Sequence, residues 1–320
     1  MRSKANLGLR ALFCGAVLAV GVVSPALAAD PNAADAQTST FVSGVSDNGT
    51  DYSGVTPAMV KAKEAQLQTY LNHGTMAPRY VKTGAAAKAA SAMSASLVAS
   101  PMYAASSVLS WYPGFYQKTT YWCVPAVVQS IAYFDLEGEW YYDLGSGSIS
   151  GAQSKIYNGY TDPDGTVEPA IKVGGSVLGS DDTKAIAWVN RQFKQYASTW
   201  FYLAVKPTSQ TDLMNKVHYD VASEYEPTYI RVDLATASGT GYMWYQAPGS
   251  GGTHPEHATL AVGYNDSAST MQTYDPFSHP SGSSCSHAYN VANNWGCNWT
   301  ITQARYYKGM DRILGTPVWY

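Results

Sequence analysis

Apolar residues recur at helical spacing in four stretches of the chain. Val60, Leu67 and Leu71 predict an amphipathic helix over Thr56–Asn72, with Lys61, Lys63 and Gln68 on its more exposed side. Val127, Ile131 and Phe134 predict a helix over Cys123–Phe134. Its first turn tolerates Pro125, because an N–H at that position would have no partner within the helix. Ile186, Val189 and Phe193 predict a helix over Thr183–Tyr196 with Asp182 as its cap, and Leu213, Val217 and Val221 one over Asp212–Ala222. Strand patterns then take over at Pro227–Leu234, His257–Tyr264 and Met271–Tyr274, the last two separated by the turn-rich Asn265–Ser269. Helices first and strands later predict an α+β domain, with N-terminal helices packed on an antiparallel sheet.

The first 29 residues follow a different pattern. Arg2, Lys4 and Arg10 precede an apolar run over Ala11–Val23, Pro25 breaks it, and Ala26-Leu27-Ala28 supplies a small-x-small cleavage site. That run is too short to span a bilayer, which takes about 20 apolar residues. Residues 1–29 therefore read as a secretory signal, and the protein is expected to be secreted, without a stable membrane anchor once the signal is removed. Residues 30–106 are rich in Ala, Ser and Thr and read as an N-terminal extension, either a pro-region or a tether. Within it, Gly84–Ser100 has linker composition. Residues 107–320 form the aromatic, globular part. Loss of the signal leaves 17 basic against 23 acidic residues, so the chain lacks the basic face that nucleic acid requires. Charged residues are only 13% of the 320, about half the usual share, while tyrosines number 25.

Signal removal also changes the cysteine count, because Cys14 leaves with it. Cys285 and Cys297 lie 12 apart in a Ser/Gly/Asn-rich stretch, a spacing that suits a disulfide-closed loop in an oxidising compartment. Cys123 is left as a free thiol. It opens a predicted helix, where the positive end of the helix dipole favours the thiolate. First-turn N–H groups there point at whatever the sulfur attacks. Gln117, six residues upstream, carries a side-chain amide able to donate to a developing oxyanion.

A general base is offered by the two late strands. A hairpin with its tip at Asp266 puts His257 and Asp275, each nine residues from that tip, opposite one another on one face. A carboxylate in that place fixes the imidazole tautomer and stabilises the imidazolium.

Gln117, the Tyr121-Trp122 pair and the run Cys123-Val124-Pro125-Ala126 together resemble the nucleophile segment of papain-like cysteine peptidases. The similarity is nearest to the bacteriocin-processing branch, which cleaves double-glycine leader peptides, in a free-standing secreted form, which implies a bacterial source. The run His257–Asp266 followed by Tyr274-Asp275-Pro276-Phe277 is similar to that branch's histidine strand and Asp-Pro segment. The resemblance spans about residues 108–277. It implies a papain-like fold, with Cys123 as nucleophile, His257 as general base, Asp275 as its orienter and Gln117 as oxyanion donor. A peptide or protein is the implied substrate, and no cofactor or metal is required. Val124 and Glu256 stand where that family usually has glycine. A cell-wall amidase or acyl transferase using the same thiol chemistry, and a catalytically retired binding module, are the alternative readings.

Three further features carry less chemistry. His254, Glu256 and His257 lack the helical spacing of a zinc site. Asp162-Pro163-Asp164-Gly165 reads as a plain turn, and His218, His279 and His287 as bystanders. The clusters Trp140–Tyr142, Trp200–Tyr202 and Tyr242–Tyr245 read mainly as core, and Gly249–Gly252 as a loop near His254.

Overall fold

The computed structural model describes residues 55–73, 104–136 (except 110, 111, 113 and 120), 144–173 (except 164), 180–194, 201–233, 256–276 and 297–320 (except 314). Outside the described residues lie the secretory signal, Gly84–Ser100, Asp164, His254, His279, Cys285, His287, Gly249–Gly252 and the aromatic clusters at 140–142 and 242–245. The disulfide expected between Cys285 and Cys297 therefore also lies outside them.

In chain order the elements are α1 (Pro57–His73), β1 (Ser106–Val108), α2 (Cys123–Leu136), α3 (Ile149–Asn158), β2 (Tyr160–Thr161), β3 (Val167–Glu168), α4 (Asp182–Lys194), β4 (Ala204–Val205) and α5 (Gln210–His218). A π-helical turn, Tyr219–Glu224, continues α5. There follow β5 (Thr228–Asp233), β6 (Glu256–Asn265), β7 (Thr270–Asp275), β8 (Cys297–Thr302), α6 (Gln303–Asp311) and β9 (Val318–Trp319). The architecture is α+β. A seven-stranded antiparallel sheet runs β4-β9-β5-β6-β7-β8, with β1 paired to the far end of β6. The short β2 and β3 pair separately.

Helices cover both faces of this sheet. On one face Ser130 of α2 lies 3.5 Å from the Tyr274 hydroxyl of β7. On the other, the Tyr306 hydroxyl of α6 bonds Thr259 of β6 and Thr273 of β7. Side chains alternate between faces along a strand, so Thr273 and Tyr274 put α6 and α2 on opposite sides. The sequence pattern predicts only the first of these layers.

Two expectations are corrected. Asp182 is the first residue of α4 and not its cap. Asp181 caps that helix, its Oδ1 accepting from the N–H groups of Thr183 (2.9 Å) and Lys184 (3.2 Å). This frees the Asp182 side chain for another partner. His218 is not a bystander, because its Nε2 lies 3.1 Å from Asp266 Oδ1 at the β6–β7 turn.

The α1 helix packs Val60, Leu67 and Tyr70 into the same core as the helices and sheet. Its Lys63, expected on the more exposed side, is buried with them, because it lies three residues after Val60 and four before Leu67 on the same face. The ammonium donates to the Phe201 carbonyl (2.9 Å) and lies 5.2–6.0 Å from the rings of Phe201, Tyr202, Tyr219 and Tyr320. A charge on the apolar side of an amphipathic helix is retained there by ring quadrupoles and a carbonyl. Within the Ala/Ser/Thr-rich extension, residues 57–73 thus have a place in the core.

Candidate functional site

The site lies where the start of α2 meets the start of β6 and the end of β7. Cys123 is the first residue of α2 and is half-buried. Below it, Val127, Val128, Ile131 and Phe134 are fully or almost fully buried and fix the helix on the core. The first-turn amides of Cys123 and Val124 have no carbonyl one turn before them within the helix, and Pro125 has no N–H at all. The helix therefore presents two donors and a positive dipole end at the sulfur.

His257 and Asp275 are both buried, and His257 Nε2 lies 2.7 Å from Asp275 Oδ1. They are not the facing partners that the hairpin geometry predicts. The β6–β7 register pairs Leu260 with Tyr274 and Ala261 with Thr273, then shifts by one residue at Val262. The tip is the four-residue turn Asp266–Ser269, not Asp266 alone. Continuing the observed register sets Thr259 opposite Asp275, so His257 stands two residues along. Residues two apart share a face, so the pair still meets, on a diagonal.

The His257 ring also hydrogen-bonds the Cys123 thiol. Burial pushes that thiol up. The hydrogen bond and charge of His257, the Ala258 N–H and the charge of Arg231 outweigh it, and the thiol is held below its ordinary value. Burial disfavours the His257 imidazolium, but the Asp275 carboxylate, by charge and hydrogen bond, and Cys123 hold it well above the ordinary histidine range. Thiol and imidazole thus shift in the directions that favour a thiolate–imidazolium pair.

Gln117 is placed beside this trio by a bond to the residue after Asp275. Its backbone N–H donates to the Pro276 carbonyl at 2.8 Å. Its side-chain Nε2 donates one hydrogen to the Thr119 carbonyl at 2.7 Å, and an amide nitrogen has a second to give. The segment is clamped from behind by three buried polar side chains. Gln153 of α3 accepts from the Lys118 N–H (3.0 Å) and donates to the Tyr116 carbonyl (2.9 Å) and to Gln129 Oε1 (3.2 Å). Ser130 accepts from the Phe115 N–H (2.9 Å). No motif in the sequence marks Gln129, Ser130 or Gln153, because Ser130 and Gln153 act through the backbone of a loop distant in sequence and Gln129 through Gln153.

Next to the nucleophile, the rings of Tyr121, Trp122 and Tyr157 form a cluster with centroids 5.7–6.1 Å apart. On the β5 side, Arg231 stands directly across from Ala258. Its guanidinium pairs with Asp182 Oδ2 at 2.7 Å and with Glu256. Tyr229 donates to Asp182 Oδ1 at 3.1 Å. The sequence pattern reads Arg231 as a strand residue and Asp182 as a cap, so their meeting is visible only in the fold. Among the described residues no group of three or more His, Cys, Asp and Glu is placed to hold a metal ion. No helix among them is long and apolar enough to cross a membrane.

Geometrically, the assembly offers a sulfur nucleophile, a base hydrogen-bonded to it, a carboxylate behind the base and donors at a helix N-terminus. Comparison with known proteins brings no relative to this arrangement: no family model, curated protein or solved structure matches the chain.

Proposed function

We propose that the chain is an exported thiol hydrolase of papain-like fold that cleaves peptide bonds. The observation that carries this reading is the continuous hydrogen-bonded line from Cys123 through His257 to Asp275, with the sulfur at the first turn of a helix. Structural ion pairs also perturb titration, but they do not need a thiol at a helix N-terminus.

In the reaction so proposed, the Cys123 thiolate attacks the carbonyl carbon of the scissile amide. The developing oxyanion is met by first-turn N–H groups and by the second hydrogen of Gln117 Nε2. His257, as imidazolium, gives its proton to the leaving nitrogen, and the C–N bond breaks to leave a thioester on Cys123. The neutral imidazole then takes a proton from water as the water oxygen attacks the thioester. Collapse of that intermediate expels the thiolate and releases the acid, and the imidazolium–thiolate pair is restored. Asp275 stays ionised and holds the ring throughout.

The test is hydrolysis of a fluorogenic peptide library by wild type and Cys123→Ala, together with iodoacetamide labelling located by mass spectrometry. Expected are cleavage by the wild type, its loss in the variant, and label on Cys123. Undiminished cleavage by a folded Cys123→Ala variant overturns the proposal. Release of peptidoglycan fragments without peptide cleavage moves the bond but keeps the nucleophile.

A further inference from the structure

We propose that Tyr306 is a positioning residue for the His257–Asp275 pair: its hydroxyl, bonded to Thr259 and Thr273, fixes the offset between β6 and β7 across which the imidazole reaches the carboxylate. This deepens the thiol-hydrolase reading and rests on it.

The offset has to be specified. Asp275 does not face His257, and the register of the two strands shifts by one residue at Val262. A slip of one residue in the pairing would turn the carboxylate to the other face of the sheet, away from the ring. Residues two apart share a face, so His257 and Thr259 of β6 lie on the same side as Thr273 and Asp275 of β7. With Ala261 opposite Thr273, Thr259 stands two residues out of step with Thr273. His257 is out of step with Asp275 by the same two residues. The two pairs thus lie on parallel diagonals, and the threonine pair is the next one inward from the site.

Tyr306 bridges that inner diagonal. Its hydroxyl bonds Thr259 Oγ1 and lies 3.1 Å from Thr273 Oγ1. Both threonines are themselves pinned. Thr259 donates to the Ile230 carbonyl of β5 and Thr273 to the Leu260 carbonyl of β6, each at 2.9 Å. A hydroxyl that has given its hydrogen to a carbonyl still offers lone pairs, so Thr259 accepts from the phenol. Tyr306, Thr259, Thr273 and Asp275 are all fully buried, where such bonds are electrostatically stronger than in water. The ring is carried by α6, which is fixed along the hairpin. One turn before Tyr306, the Gln303 N–H donates to the Ser269 carbonyl (2.9 Å) and its Nε2 to Asp266 Oδ1 (3.0 Å), both in the β6–β7 turn. At the other end of the helix, Lys206 donates to the carbonyls of Asp311 (3.0 Å) and Ile313 (2.9 Å).

Tyr306 stays a neutral hydroxyl in the working range. Burial and the Asp275 charge push its phenol well above the ordinary tyrosine value, against the pull of the two threonine bonds. The groups that act on the His257 ring are Asp275 of β7 and Cys123 of α2. A change in the behaviour of the thiol–imidazole pair on loss of the phenol hydroxyl therefore reports a change in placement, not the loss of a charge.

The experiment is the pH profile of iodoacetamide alkylation of Cys123 in the full chain, which requires no substrate, measured beside the melting temperature. In the wild type, fast alkylation is expected to persist well below the pH at which an ordinary thiol reacts. Tyr306→Phe keeps the ring and removes the hydroxyl. It is expected to slow alkylation at pH 6 roughly three- to tenfold, and to rejoin the wild type at high pH, where the sulfur is ionised in both. Thr273→Val removes a partner of the same hydroxyl, is expected to shift the profile in the same direction, and serves where Tyr306→Phe fails to fold. Lys206→Met loosens the far end of α6 without touching the diagonal, so it is expected to lower the melting temperature and leave the profile in place. In an Asp275→Asn background, Tyr306→Phe is expected to add nothing to the profile, because no carboxylate charge is left to position. A folded Tyr306→Phe variant with a wild-type profile overturns the role of Tyr306, as does a folded Thr273→Val variant with one where Tyr306→Phe does not fold. An equal shift from Lys206→Met, or an undiminished one in the Asp275→Asn background, overturns it too. A wild-type profile identical to a free thiol's is a different failure, because it removes the activated Cys123 and with it the proposed function.

Discussion

His257 reaches Asp275 along a diagonal of the sheet, two residues out of step with its position across the strand pair. Asp275 is wholly buried, so its carboxylate has little solvent to screen it and acts strongly on the ring. Asp275→Asn keeps an amide of the same shape but removes the charge that holds the imidazolium up. The His257 value is expected to fall, so the alkaline limb of the pH–rate profile moves to lower pH. Turnover is expected to drop about 10²- to 10⁴-fold. The readout is kcat against pH. An unmoved alkaline limb would show that Asp275 does not act on the titration of the ring.

The loop bearing Gln117 depends on a side chain that never touches the site. Gln153→Ala takes the partners from the Lys118 N–H and the Tyr116 carbonyl. Each buried polar group so stranded costs about 1–3 kcal/mol. Gln153→Ala is therefore expected to lower stability in denaturant melts and to lower kcat more than it raises KM. Gln117→Ala, in contrast, is expected to slow turnover about 10²- to 10³-fold, through the lost oxyanion donor. The two variants separate when stability and kcat are measured together. Equal stability in Gln153→Ala and wild type would rule out the clamp.

The nucleophile, the histidine and the carboxylate are legible in the sequence because each sits in a local pattern: a helix start, a strand start and a strand end. Their meeting requires only that a helix and a hairpin share one end of a sheet. The register departs from the expected one for a physical reason. A one-residue tip is the simplest reading of the pattern, whereas the turn has four, and a bulge at Val262 adds a residue to β6. The displacement from the facing position amounts to two residues and keeps parity, so the pair stays on one face. Arg231, Asp182 and Gln153 are not legible as site residues, because their partners lie between 24 and 49 positions away and no spacing rule connects them. Layer order was half legible, since α6 and β9 follow a long polar stretch and β9 pairs back to β5, out of sequence order.

The ammonium of Lys63 is a further residue whose role comes from the fold alone. The sequence reading puts it on the more exposed side of α1, yet it shares a face with Val60, Leu67 and Tyr70 and is 1% exposed among four aromatic rings. Lys63→Ala loses the ring contacts, the bond to the Phe201 carbonyl and the packing of the aliphatic stem. The expected cost is about 2–4 kcal/mol, of the order for removing a long buried side chain. Amides of α1 are expected to lose hydrogen-exchange protection before those of the sheet do. Unchanged protection across α1 would mean that its apolar side, through Val60, Leu67 and Tyr70, is sufficient to dock it.

Gly114 makes the tightest approach near the site, and its lack of a side chain has a direct cause. A Cβ at this position would fall inside the Tyr274 ring. That ring cannot retreat: it is 1% exposed, packs 5.7 Å from the Tyr112 ring, and its hydroxyl donates to the Phe115 carbonyl next to Gly114. Gly114→Ala is thus an overpacking substitution in a filled core, with an expected cost of about 1–3 kcal/mol. It also acts on function, because Tyr274 immediately precedes Asp275 and the same segment carries Gln117. Displacement of the ring shifts the carboxylate and the oxyanion donor together, so kcat is expected to fall along with the melting temperature. Tyr274→Leu removes the ring and opens space where the new methyl would go. The double variant is then expected to be more stable than the sum of the two single losses predicts, a favourable coupling of neighbours in contact. Strict additivity of the two losses would show that the Tyr274 ring is not what excludes a side chain at Gly114.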